Sequence, residues 1–112
     1  MSRAFGDFQF KDQPTKEAKD QAVTSFPDVK TFKRDKKDEF IVLACDGIWD
    51  CVSNEECIKK VGEELKEKKT ADDEIHTVVE GLLDDILAKD TSDGVGTDNM
   101  TAILIRLYNK DL

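Results

Sequence analysis

The sequence has few of the residues that several kinds of site require. It contains one histidine, His76, and three cysteines, Cys45, Cys51 and Cys57, none of which forms a Cys-x-x-Cys pair. A tetrahedral zinc site needs four closely spaced nitrogen or sulfur ligands, and this spacing does not offer them. We interpret the cysteines as small buried side chains in a reducing compartment.

Long apolar segments are also missing. The longest unbroken apolar run, Phe40–Cys45, has six residues, whereas a bilayer-spanning helix needs about 20. The first seven residues contain no apolar core of a secretory signal. We therefore expect an intracellular protein, cytoplasmic or nuclear, that does not insert into a membrane.

Acidic side chains outnumber basic ones. The 112 residues include 25 Asp or Glu and 17 Lys or Arg, which gives a formal net charge of −8. A chain of this charge without a dense basic patch is a poor electrostatic match for nucleic acid or anionic lipid. A cation or a basic partner would suit it better. The length is sufficient for one small domain and equally for part of a larger one.

The residues before position 40 carry weak structural signals. All six phenylalanines fall in the first 40 positions. Phe8 and Phe10 alternate with polar residues, which favours a short strand, and Val29–Lys33 is a second candidate strand. Asp7, which follows Gly6, is interpreted as a turn residue.

Two strands and two helices are predicted from residue 40 onward. The run Phe40–Cys45 is typical of a strand buried on both faces, and Met100–Tyr108 is a second apolar strand. Ser53 and Glu56 form a capping box that starts one helix, and the next helix starts near Thr70. The order β-α-α-β predicts an α+β domain with its helices on one face of the sheet.

Each predicted helix has an apolar stripe. Cys57, Val61 and Leu65 recur every four residues in the first. The second has a complete helical set that predicts packing on a core, formed by Ile75, Val78, Val79, Leu82, Leu83, Ile86 and Leu87. His76 lies off this stripe and is expected to face solvent, and Gly81 lies inside the helix, where close backbone packing is one possible reason for it.

Three aspartates occur near the ends of the predicted strands. Asp46 directly follows the first strand, and Asp98 and Asn99 directly precede the last. If the strands are antiparallel neighbours, both carboxylates emerge at one sheet edge, where they could bind a hard cation such as Mg²⁺. Asp50 could reach the same cluster, and Gly47 permits a tight backbone beside the ion. From spacing alone, a metal site and ordinary turn chemistry both remain open.

Three longer motifs occur in order along the chain: SRAFGDF at residues 2–8, FIVLACDGIWD at 40–50 and GTDNMT at 96–101. Together they resemble the metal-dependent Ser/Thr protein phosphatases of the type 2C family. The resemblance implies two antiparallel β-sheets sandwiched between helix pairs, in α-β-β-α layers. It also implies two Mg²⁺ or Mn²⁺ ions, bridged by a water that attacks phosphoserine or phosphothreonine.

The resemblance implies roles for five residues. Asp46 and Asp98 match two carboxylates that bind one of the two ions, and Asp50 matches a ligand of a weaker, third metal position. Gly47 and Asn99 match residues that lie beside these ligands and support them. Because the metal-bound water is the nucleophile, no catalytic side chain is expected.

Other motifs of the family, an arginine that grips phosphate, an acidic pair and an Asp-Gly-His metal motif, are absent here. We therefore expect residues 1–112 to be the C-terminal part of a single catalytic domain, inactive alone. Its partners would be the N-terminal half of the same domain and a phosphoprotein substrate. The alternative is a non-catalytic, phosphatase-like interaction module, a pseudophosphatase remnant.

Overall fold

The computed structural model describes residues 2–67 and 72–108, apart from the side chain of Asp73. The chain divides into two compact units, Met1–Arg34 and Asp35–Leu112. The helix start predicted near Thr70 lies outside the described residues. Within the described ranges, no helix has both the length and the apolar character that crossing a bilayer requires.

Two strands of the second unit form an antiparallel sheet, as predicted. Strand β1 is Phe40–Ala44 and strand β2 is Ala102–Arg106. The register pairs Phe40 with Arg106 at one end and Ala44 with Ala102 at the other. The end of β1 and the start of β2 therefore lie at the same sheet edge.

Among the described residues, three α-helices lie between the strands in the chain. They are α1, Asp46–Trp49; α2, Asn54–Glu67; and α3, His76–Ile86, which follows the 3-10 turn Asp72–Glu74. The two long helices confirm the predicted β-α-α-β order. Helix α1 is an addition, since no helix was predicted directly after the first strand.

The core lies between α2, α3 and one face of the sheet. Its almost fully buried members come from the two predicted helical stripes, and one face of the sheet packs on them. Both stripes are confirmed except at Leu87, which follows α3 and is exposed. The buried side chains are Cys57, Val61, Val78 and Leu82, and those packed against them are Phe40, Val42, Val52, Leu65 and Leu104. An ion pair between Lys60 and Asp85 also joins α2 to α3. His76 is exposed, as predicted.

The opposite face of the sheet carries apolar side chains that remain accessible. Ile41, Leu43, Ile103 and Ile105 are each between 41 and 56 % exposed. The prediction that the first strand is buried on both faces is therefore wrong for the described residues. Side chains alternate between the faces of a strand, and the helices cover only one of these faces.

In the first unit, neither predicted strand forms. Phe8–Phe10 is a short 3-10 helix, and 29–33 has no regular structure. Gly6 and Asp7 have φ angles of 71° and 52°. These left-handed conformations reverse the chain just before Phe8, so the alternating residues do not continue an extended segment. Asp7 is thus a turn residue, as predicted.

The predicted capping box forms at the start of α2. The Glu56 backbone N–H donates to the Ser53 hydroxyl oxygen at 3.2 Å. The Glu56 carboxylate in turn accepts from the Ser53 hydroxyl at 2.7 Å and from the Ser53 N–H at 3.0 Å. Both bonds lower the pKa of Glu56, and the bond from the Ser53 hydroxyl has the larger effect.

Removal of the Ser53 hydroxyl should lower the stability of the chain and change the titration of Glu56. We expect Ser53→Ala to lower the free energy of unfolding by about 1 kcal/mol, the usual value of such a cap. The pKa of Glu56 should rise toward its ordinary value, which an NMR pH titration measures.

The direction in which pH changes the stability of the native state follows from the lowered pKa of Glu56. Ionised Glu56 stabilises the native state fully above the ordinary glutamate pKa, and this contribution is lost as the pH falls through the lowered value. Ser25→Ala, at an exposed serine of the other unit, is the control. A Glu56 titration that is unchanged in Ser53→Ala would contradict the assignment.

Candidate functional site

The edge of the sheet where β1 ends and β2 begins carries the predicted site residues. Asp46 starts α1 with only Cys45 between it and this end of β1, and Asp98 and Asn99 lie just before β2. The pairing continues past the strands, because the Cys45 N–H donates to the Thr101 carbonyl at 3.1 Å. The structure therefore places both strand-end aspartates at one edge.

Tertiary contacts hold the short helix α1 in place. Ile48 is fully buried, and the indole N–H of Trp49 donates to the Ala44 carbonyl at 2.9 Å. The Asp50 N–H donates to the Asp46 carbonyl at 2.8 Å, which closes one helical turn. Side chains four residues apart on a helix share a face. Asp46 and Asp50 therefore stand on the same side of an anchored turn.

The backbones of the two site segments meet at Gly47. A Cβ atom at this buried position would lie 2.4 Å from the carbonyl oxygen of Asn99. No side chain can be accommodated at such a distance from a backbone atom. Gly47 is therefore needed for this close approach of the two segments.

Each strand-end aspartate accepts a hydrogen bond from the next residue's backbone. The Gly47 N–H donates to Oδ1 of Asp46 at 3.1 Å, and the Asn99 N–H donates to Oδ1 of Asp98 at 2.7 Å. Both aspartates are exposed. The bonds orient one oxygen of each carboxylate at the surface of the sheet edge.

The turn that carries Asp98 is anchored on the end of α3. Gly96 is buried with a φ of 71°, and its carbonyl accepts from the Ala88 N–H at 3.0 Å. A Cβ at Gly96 would lie 2.2 Å from the carbonyl oxygen of Ile86. The position of Asp98 therefore depends on a glycine that fits tightly against the helix end.

Asp50 and Asp98 line one open cavity of about 490 Å³. Asp93 lines the same cavity, with its Oδ1 accepting from the Val95 N–H at 3.0 Å. Asp46 is not part of the lining. Asp93 was not among the predicted site residues, and its only signal in the sequence is its place in an acidic, glycine-rich segment.

The donor atoms suit a hard cation, but the set is incomplete. Carboxylate oxygens are the ligands that Mg²⁺ and Mn²⁺ prefer. Within residues 2–67 and 72–108, no three His, Cys, Asp or Glu side chains are grouped closely enough to hold a metal ion. The described residues thus fit a divalent ion as part of its site, with other positions left to water, phosphate or further protein ligands.

Sequence comparison identifies the family. The family model for protein phosphatase 2C matches residues 1–95. The chain belongs to the protein phosphatase 2C family. The matched range includes Asp46, Gly47 and Asp50 and ends before Asp98 and Asn99. The family assigned from the three sequence motifs is confirmed.

Several curated protein phosphatases are similar to this chain over 97 % of its length. The probable protein phosphatase 2C T23F11.1 of Caenorhabditis elegans is 49 % identical. Protein phosphatase 2C homolog 2 of Aspergillus fumigatus and the probable protein phosphatase 2C 60 of Arabidopsis thaliana are each 42 % identical. The chain spans 30 %, 25 % and 29 % of the lengths of these three relatives, respectively.

Proposed function

We propose that residues 1–112 form the C-terminal part of a metal-dependent protein Ser/Thr phosphatase domain. The observation that carries this proposal is the antiparallel pairing of β1 with β2, which puts Asp46 and Asp98 at one sheet edge. Membership of the protein phosphatase 2C family supports the reaction class. The substrate would be a phosphoprotein carrying phosphoserine or phosphothreonine.

The proposed ligands are the aspartates at this edge. Asp46 and Asp98 would hold one Mg²⁺ or Mn²⁺ ion, and Asp50 would contribute to a weaker, third position. Gly47 and Asn99 orient the ligands through the backbone hydrogen bonds to their carboxylates. When bound, two such ions in the complete domain supply a water of lowered pKa and neutralise phosphoryl charge. No side chain of this chain is then needed as a nucleophile.

The open face of the sheet supports a layered domain. Four apolar side chains, Ile41, Leu43, Ile103 and Ile105, are exposed on it, and a two-stranded sheet is marginal by itself in water. We propose that a second sheet, from the N-terminal half of the same domain, covers this face. The result would be an antiparallel sandwich flanked by helices.

The proposed setting is the interior of the cell. All three cysteines are free thiols, which suits a reducing compartment. The net charge of −8 gives no electrostatic attraction to nucleic acid. We therefore propose a cytoplasmic or nuclear protein whose partners are phosphoproteins.

The second candidate is a non-catalytic interaction module of the same family. The incomplete donor set among the described residues favours it, because two-metal chemistry needs more ligands than these aspartates supply. Such a module would bind a partner without hydrolysing phosphate.

Complementation distinguishes these two candidates. We expect no appreciable phosphatase activity from the 112-residue chain alone. Addition of the part of the C. elegans relative that precedes the matched region should produce Mn²⁺-dependent hydrolysis of a phosphothreonine peptide. Asp46→Asn should lower that rate by at least about 100-fold, because loss of a residue that only supports a metal ligand already costs roughly 10- to 100-fold. Released phosphate is the measurement.

The matched control is Asp84→Asn, at an exposed aspartate on α3, which should leave the rate within about twofold. Strong metal-dependent hydrolysis by the chain alone would contradict the incomplete-domain assignment. Formation of a stable complex without hydrolysis would favour the interaction module.

A further inference from the structure

Cys45 connects the two segments that carry the candidate ligands. It follows β1 and directly precedes Asp46. Its thiol donates to the Asn99 carbonyl at 3.4 Å and accepts from the Thr101 N–H at 3.3 Å. With the backbone bond from its own N–H to the Thr101 carbonyl, at 3.1 Å, one residue makes three hydrogen bonds across the sheet edge.

These bonds act on Asn99, the residue that follows Asp98. The Asn99 carbonyl accepts from the thiol and lies against Gly47, while the Asn99 N–H donates to the Asp98 carboxylate at 2.7 Å. The carbonyl and the N–H belong to the two peptide groups that meet at the Asn99 Cα, so a displacement of Asn99 as a whole would move the carboxylate that its N–H holds. The thiol is thus one of the contacts that link the position of Asp98 to that of Asp46.

The other two cysteines make no such connection between these segments. The Cys51 thiol donates to the Gly47 carbonyl at 3.3 Å, within its own helical turn. Cys57 is fully buried in the core between α2 and α3. The link between the segments is therefore a property of position 45.

We propose that Cys45 is a positioning residue, whose thiol sets the separation of Asp46 and Asp98 by holding 99–101 against the end of β1. The proposal rests on the proposed function, in which these aspartates share an ion. A thiol both donates and accepts hydrogen bonds, as a serine hydroxyl does, whereas an alanine side chain does neither. A serine at position 45 should therefore preserve the link between the two segments, and an alanine should not.

The first test needs no metal. In ¹⁵N spectra of the 112-residue chain, Cys45→Ala should move the Asn99 and Thr101 amide resonances and speed exchange of the Thr101 N–H by about tenfold. Cys45→Ser should restore the exchange rate to within about threefold. Cys51→Ala, which removes a thiol bond inside one turn, is the control and should leave both amides unchanged. Unfolding midpoints in urea show whether each variant remains folded.

The second test measures Mn²⁺ through paramagnetic broadening of the Asp46 and Asp98 amides. Cys45→Ala should weaken the apparent affinity for Mn²⁺ about tenfold, as loss of a residue that supports metal ligands commonly does. Cys45→Ser should recover most of this affinity. Unchanged amides and unchanged affinity in Cys45→Ala would overturn the proposal, as would a serine variant that behaves like alanine. If the wild-type chain shows no broadening while Cys45→Ala still moves the amides, the thiol link is supported and the metal assignment fails.

Discussion

Gly96→Ala is expected to lower the free energy of unfolding of the chain by about 3 kcal/mol. Part of this cost, about 1–2 kcal/mol, arises because alanine disfavours the left-handed φ of 71°. The remainder arises because the new Cβ would lie 2.2 Å from the Ile86 carbonyl oxygen and 2.9 Å from the Ala88 nitrogen. Both are backbone atoms, so relief requires the turn to leave the end of α3.

Gly94→Ala is the matched control. Gly94 has a similar φ of 75°, but nothing lies within 4 Å of a Cβ built there. Its substitution should therefore cost only the conformational part, about 1–2 kcal/mol. Urea unfolding followed by the fluorescence of the single tryptophan, Trp49, measures both variants. Equal losses in the two variants would show that the tight contact at Gly96 contributes nothing.

Gly47→Ala should destabilise the chain, whereas the same substitution at an ordinary helical glycine is stabilising. In an exposed helix interior, replacing Gly with Ala stabilises by about 1 kcal/mol. At Gly47 the new Cβ would lie 2.4 Å from the Asn99 carbonyl oxygen, so the two site segments must separate. We expect a loss of about 2 kcal/mol in stability and a roughly 100-fold fall in the activity of the complemented domain.

The control for this prediction is Gly62→Ala in α2. A Cβ at Gly62 would meet the Phe40 ring at 3.7 Å, an ordinary contact. This variant should therefore be as stable as the wild type or more stable. Urea unfolding gives the stabilities, and phosphate release in the presence of Mn²⁺ gives the activities. A Gly47→Ala protein with full stability and full activity would exclude the close approach in solution.

The structural features that depend only on residues close together in the chain were predicted from the sequence. The capping box at Ser53 and the apolar stripes of α2 and α3 are encoded within a few turns of chain, and all of them are present in the structure. Helix α1 was not predicted, because four residues have little helical tendency alone. It depends on the buried Ile48 and on the bond from Trp49 to β1.

The failures near the N-terminus also have a physical cause. Alternation at Phe8 and Phe10 favours a strand only where the chain is extended, and the left-handed residues just before it prevent this. Burial of both faces of the first strand depends on which other elements cover each face, and the residue pattern within a strand does not specify those elements.

For the candidate site, the topology was predictable and the contacts were not. Antiparallel pairing was enough to place Asp46 and Asp98 at one edge. The thiol bond from Cys45 joins residues 54 positions apart, and no local pattern encodes such a contact. Asp93 reaches its cavity through the fold of a turn, which the sequence specified only as acidic and glycine-rich.

The antiparallel pairing of β1 with β2 also has a consequence for the order of folding. The two strands bracket the helices, so the sheet edge forms only after most of the second unit has been synthesised and a long loop has closed. A chain in which only the helices have formed lacks the strand pairing that brings Asp46 and Asp98 to one edge. Assembly of this acidic edge therefore requires both strands, and a nascent chain that ends before β2 cannot complete it.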